Sequence, residues 1–113
     1  MKALLRYEDR AYAWRVEDVP EPVCGPDEVK VKVAYAGICG SDLHMYHGVF
    51  IVPGKHISGH EFSGTIAEVG ENVKGFSPGE RVTVEHTYST CGVCKACRRG
   101  DYQLCAERKS IGF

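Results

Sequence analysis

Cys91-Gly92-Val93-Cys94-Lys95-Ala96-Cys97, followed by Cys105, decides the reading of this chain of 113 residues. Four cysteines lie within fifteen positions, and the first three are separated from one another by two residues each. Zinc takes about four ligands in a tetrahedron, with zinc–sulfur bonds of about 2.3 Å, and a short cysteine-rich loop supplies that geometry. Four thiolates leave no corner for water or substrate, so the expected role of Cys91, Cys94, Cys97 and Cys105 is structural. The competing reading is a disulfide framework, because six cysteines is an even number. Against it, Lys2 is followed by only Ala3-Leu4-Leu5 before Arg6, too short for the apolar part of a secretory signal. Free thiols suit a reducing cytosol, so a cytoplasmic location is expected. Four thiolates on one zinc carry two excess negative charges, which Lys95, Arg98, Arg99, Arg108 and Lys109 stand close enough in sequence to screen.

Working outward, the chain has the length of one domain with its own core. Hydrophobic residues make up 43% and charged residues 26%, as in soluble globular proteins. The net charge of −1 argues against a nucleic-acid or acidic-membrane partner. No apolar run approaches the roughly 20 residues that span a bilayer. Thirteen glycines and five prolines divide the chain into short pieces, favouring strands and turns. Residues 1–7 and 12–16 read as paired strands. Val29, Val31, Val33 and Tyr35 alternate with Lys30, Lys32, Ala34 and Ala36, predicting a strand with one buried face. Residues 62–69 predict another, with Gly64 marking a bulge or close backbone approach. A third runs over 81–85. A helical turn is expected near Ser41, a good N-cap residue. A second covers 95–99 and stops at Gly100. The sum is a mainly β, antiparallel, partly closed barrel-like domain with short helices and a metal-pinned lobe.

Two further stretches carry chemistry. Residues 37–44 read Gly37-Ile38-Cys39-Gly40-Ser41-Asp42-Leu43-His44, and residues 59–61 read Gly59-His60-Glu61. Alone, each is weak: a free cysteine is by default a core residue and a lone histidine a hydrogen-bonded one. His60-Glu61 also lacks the second histidine of a helical zinc-protease motif. Taken in order with the cysteine lobe, these marks resemble the zinc-dependent medium-chain dehydrogenase/reductase family, specifically its GroES-like catalytic domain. The resemblance covers essentially residues 1–113. Residues 69–73 and 78–82 look like the family too.

The resemblance implies two zincs. The structural one would take the four thiols of the lobe. The catalytic one would take Cys39 and His60, with Glu61 as third ligand if the chain follows the polyol branch, similar to sorbitol dehydrogenase. In other alcohol dehydrogenases the third ligand lies beyond this region. It further implies oxidation of a small alcohol or polyol, with hydride passing to NAD or NADP. Ser41 would open a proton relay and His44 would end it. Asp42 is expected to support rather than react. Gly40 stands where liver-type enzymes carry a basic residue, which resembles the sorbitol, butanediol and threonine dehydrogenases. The Gly-x-Gly-x-x-Gly turn of a Rossmann domain does not occur here. With the chain stopping at residues 111–113, a longer enzyme is expected, forming a homo-oligomer when complete. A non-catalytic zinc-binding interaction module is the alternative. A zinc-free reductase of the same superfamily is a third reading, opposed by Cys39, His60-Glu61 and the lobe.

Overall fold

A computed structural model describes residues 1–50 and 52–112. Phe113, the last residue of the expected domain, lies outside the described residues. Strand β1 (Lys2–Arg6) pairs with β2 (Trp14–Asp18), then the chain forms β3 (Val29–Ala36) and helix α1 (Gly40–Tyr46). Strands β4 (His56–Ile57), β5 (Phe62–Val69), β6 (Arg81–Thr83) and β7 (Thr87–Ser89) follow. Helix α2 (Lys95–Arg98), a 3-10 turn (Tyr102–Leu104) and β8 (Lys109–Ser110) complete the order. The strands build three antiparallel sheets, β2-β1-β4, β3-β5-β6 and β7-β8. The mainly β architecture is as expected, but the barrel is not closed: among the described residues, no strand ladder joins the three sheets. The link between β4 and β5 does part of that work instead. The Ser58 N–H donates to Leu4 O at 2.9 Å, and the Gly37 N–H donates to Glu61 O at 2.7 Å. His60 and Glu61 therefore sit on the bridge between two sheets.

Several boundaries differ from expectation for identifiable reasons. Tyr12 was a candidate strand residue, yet its φ of +62° places it in the turn, and β2 begins at Trp14. The alternating face of β3 is only half-buried at Val29 and Val31, while Val33 and Tyr35 are 51% and 80% exposed. Irregularities between Lys30 and Val31 and between Val33 and Tyr35 rephase the strand. Gly64 behaves as anticipated: a Cβ there would stand 2.2 Å from Lys32 O, so only glycine permits β3 and β5 to meet. The core is thinner than the length suggested. Its buried apolar residues are Ala3, Ala13, Met45, Ile66 and Cys105, in a body measuring 40 × 36 × 20 Å.

Helix α1 starts earlier than the Ser41 cap predicts. Cys39 is the N-cap, and the Asp42 carboxylate reaches back to its N–H at 2.8 Å. That carboxylate is the third-residue half of a capping box whose other half is the Cys39 sulfur, and Ser41 becomes the second helical residue. Buried Met45 anchors the helix from below. At the far end, Tyr46 packs edge-on against Tyr12 and Trp14, with ring centres 5.1 and 5.8 Å away. The Tyr12 N–H also donates to Tyr46 O at 2.8 Å. The β1–β2 hairpin thus fixes the helix that carries Ser41 and Asp42.

Candidate metal centres

The lobe is made by short-range backbone geometry. Cys94 caps α2, and its sulfur accepts the Cys97 N–H at 3.5 Å. Gly100, with φ of +85°, ends the helix and turns the chain toward the 3-10 turn that delivers Cys105. The Cys94 N–H donates to Cys91 Sγ at 3.3 Å, and the Cys91 N–H donates to Cys105 Sγ at 3.4 Å. All four sulfurs lie within 4.8 Å of one another. All six cysteines are free thiols. Backbone donors from Val93 and Cys94 bring the Cys91 thiol down to about 7. Burial pushes the Cys97 thiol up to about 11. Four convergent sulfurs, with N–H groups already aimed at them, fit a closed tetrahedral zinc site.

The second cluster draws on three elements. Cys39 lies between β3 and α1, and His60 and Glu61 immediately precede β5. Their sulfur, ring nitrogen and carboxylate oxygen also fall within 4.8 Å of one another. Asp42, 3% exposed, ties two of them together. Its Oδ2 accepts from Cys39 N–H, and its Oδ1 is 3.5 Å from His60 Nδ1. A carboxylate behind the imidazole fixes the ring and leaves Nε2 facing inward. Ser41 Oγ is 3.4 Å from that Nε2. Thiol, imidazole and carboxylate are a donor set that suits zinc with one position open.

This cluster borders a cavity of about 550 Å³, with Cys39, Ser41, His60 and Glu61 on one side. Val84, Glu85 and His86 form the other. Of the expected site residues, the structure gathers Cys39, Ser41, His60 and Glu61 here. His44 is exposed on α1, three residues beyond Ser41, and does not line the cavity. Glu85 and His86 were not among the expected site residues. Their signal lies in hairpin register: Ser63 pairs with Thr83, so the residues after β6 must lie opposite those before β5. Elsewhere, Cys24 donates to Glu28 O at 3.3 Å, and His47 packs beside Tyr12 and Tyr46. Neither those two nor His56 lines the cavity.

The chain belongs to the alcohol dehydrogenase GroES-like domain family, whose pattern it matches over residues 25–113. It is 50% identical to a sorbitol dehydrogenase of Halalkalibacterium halodurans over 112 residues, 99% of this chain and 33% of that protein. It is 47% identical to a D-arabitol-phosphate dehydrogenase of Enterococcus avium over 96 residues, 84% of this chain and 27% of that protein. Among solved structures, an alcohol dehydrogenase of Escherichia coli CFT073 in complex with NADH superposes with a TM-score of 0.87 at 37% identity. That match covers 99% of this chain and 32% of the other. The chain therefore spans about a third of the length of the relatives it matches. Among the described residues, no helix is long and apolar enough to cross a membrane.

Proposed function

We propose that residues 1–113 are the zinc-binding catalytic domain of an NAD(P)-dependent alcohol or polyol dehydrogenase. One catalytic zinc would be held by Cys39, His60 and Glu61, and one structural zinc by Cys91, Cys94, Cys97 and Cys105. The observation that carries this reading is the contrast between the two clusters. One is closed by four sulfurs, and the other opens on a cavity beside a hydroxyl. The family and the NADH complex of a relative support it.

Zinc, when bound, supplies a Lewis acid that brings the pKa of a coordinated hydroxyl toward about 7. The chain's own residues do the rest. Asp42 holds the His60 ring and the Cys39 backbone in register. Ser41 Oγ, at the cavity wall, would take the proton of the substrate hydroxyl while giving up its own. His44, exposed one turn further along α1, would receive the released proton through solvent and complete the relay. Val84 supplies an apolar contact on the opposite wall. A Rossmann domain outside these residues would hold the nicotinamide, NAD or NADP, which would supply the hydride acceptor. A small alcohol or polyol substrate, a cytosolic location and a homo-oligomeric complete enzyme belong to the same reading.

Metal stoichiometry tests it. Two zincs per chain are expected, with one lost in Cys39→Ser and in His60→Ala, and weakened in Glu61→Gln. A single zinc insensitive to all three changes would leave a structural zinc module. Unchanged metal in Glu61→Gln alone would put the third ligand downstream.

A further inference from the structure

We infer that Glu85 and His86 read the hydroxyl groups of an uncharged polyol, and that Tyr102 holds Glu85 in place to do so. The inference rests on the dehydrogenase reading above and names its substrate class. The cavity has two unlike walls. One carries the metal-binding donors and Ser41, where the reacting hydroxyl belongs. The other carries Val84, Glu85 and His86, which no step of the reaction requires. At about 550 Å³ the cavity lies within the range of small-molecule sites.

That second wall is fixed at both ends. The Val84 N–H donates to Phe62 O at 3.2 Å, and His86 O accepts the Ile111 N–H at 2.8 Å. The Glu85 side chain is tethered as well, because Tyr102 OH donates to its Oε2 at 3.0 Å. Oε1 is left to accept from a substrate hydroxyl. The His86 ring lies edge-on to His60, with ring centres 6.1 Å apart, so it faces the same space. A carboxylate accepts hydrogen bonds, and an imidazole both donates and accepts. Together they match a ligand that carries a hydroxyl on every carbon. A plain alcohol has one hydroxyl, already used at the opposite wall, and offers the solvent-exposed Glu85 and His86 nothing better than water.

Charge narrows the class further. Glu85 borders the cavity on the side away from the metal-binding donors, and among the described residues no lysine or arginine lines it. A phosphate monoester brought to that side meets like charge without a basic side chain to pair with. The site is therefore built for the neutral polyol rather than its phosphate. Tyr102 lies in the cysteine lobe, so the lobe positions the substrate wall of the other centre.

The test uses the intact dehydrogenase with three substrates: sorbitol, a sorbitol phosphate monoester and hexanol. The wild-type protein should favour sorbitol over both others in kcat/KM. Glu85→Gln should lower the sorbitol-to-hexanol ratio about tenfold and narrow the preference over the phosphate. His86→Ala and His86→Gln should lower the first ratio, and Tyr102→Phe should do so by less. Two zincs per chain, retained in each variant, report an intact fold. A wild-type protein that oxidises the three but prefers the phosphate or hexanol overturns this inference alone. So do ratios unmoved in both Glu85→Gln and His86→Ala. A wild-type protein that oxidises none of the three overturns the dehydrogenase reading, and this inference with it.

Discussion

In the cysteine lobe, four like donors come from residues 91–105 and face one another. In the Cys39 pocket, three unlike donors come from residues 39, 60 and 61 and face a cavity. The lobe is set by turns of a few residues, with backbone N–H groups of Cys91, Cys94 and Cys97 directed at neighbouring sulfurs. The pocket needs the β3–β5 ladder, the start of α1 and the Asp42 carboxylate all at once. A closed site of identical ligands holds a shape. An open site of mixed ligands, supported from behind, can present a metal to something else. The two regions remain linked through β7–β8 and the Tyr102–Glu85 hydrogen bond.

The largest effect expected from breaking this contrast is at Cys94. Cys94→Ala removes both a sulfur and the cap of α2, forfeiting a metal contribution on the order of 10 kcal/mol. Amide exchange should show residues 87–110 opening while the ladders of β1–β2 and β3–β5 stay protected. Loss of protection throughout would mean that the two regions do not fold independently.

A smaller change is expected at Asp42, whose carboxylate serves two donors of the pocket and none of the lobe. Asp42→Asn should weaken the pocket metal by about ten- to a hundredfold in a chelator competition. The lobe metal should not move. Equal weakening at both sites would deny the separation.

The finest distinction lies in protons. Cys91, near 7, and Cys97, near 11, straddle neutral pH. Above about pH 7, zinc must displace a proton from Cys97 alone of this pair. Below it, Cys91 is protonated as well and one more proton must leave. Lobe affinity should therefore fall more steeply with pH below about 7. Calorimetry in buffers of different ionisation heat would count the extra proton, and a constant count across pH 7 would remove the asymmetry between the two thiols.

How much of this was legible depended on range. The cysteine spacing could be read directly because the lobe is local. Gly64 could be read because a glycine inside a β pattern has few other uses, and the contact with Lys32 O bears this out. The cap of α1 was misplaced because Cys39 takes the N-cap position that Ser41 also suits, with Asp42 bonding back to it, and composition alone does not rank the two starts. The exposed end of β3 was hidden because alternation reports which residues share a face, not whether anything covers it. Strands β4, β7 and β8 have two or three residues each, too few to show a period. Glu85 and His86 became visible only through the register of β5 and β6, a relation between strands rather than within one.

The local spacing of the lobe has a kinetic consequence. Loops of about ten residues close in roughly 10–100 ns, whereas contacts across long separations wait for the chain to search. Cys91 and Cys105 are neighbours on the first timescale, and Cys39 and His60 meet on the second, once β5 has found β3. During folding the sulfur cluster is thus an early organiser, gathering its four thiols while the pocket is still unformed. The centre with the simplest chemistry is the one assembled soonest.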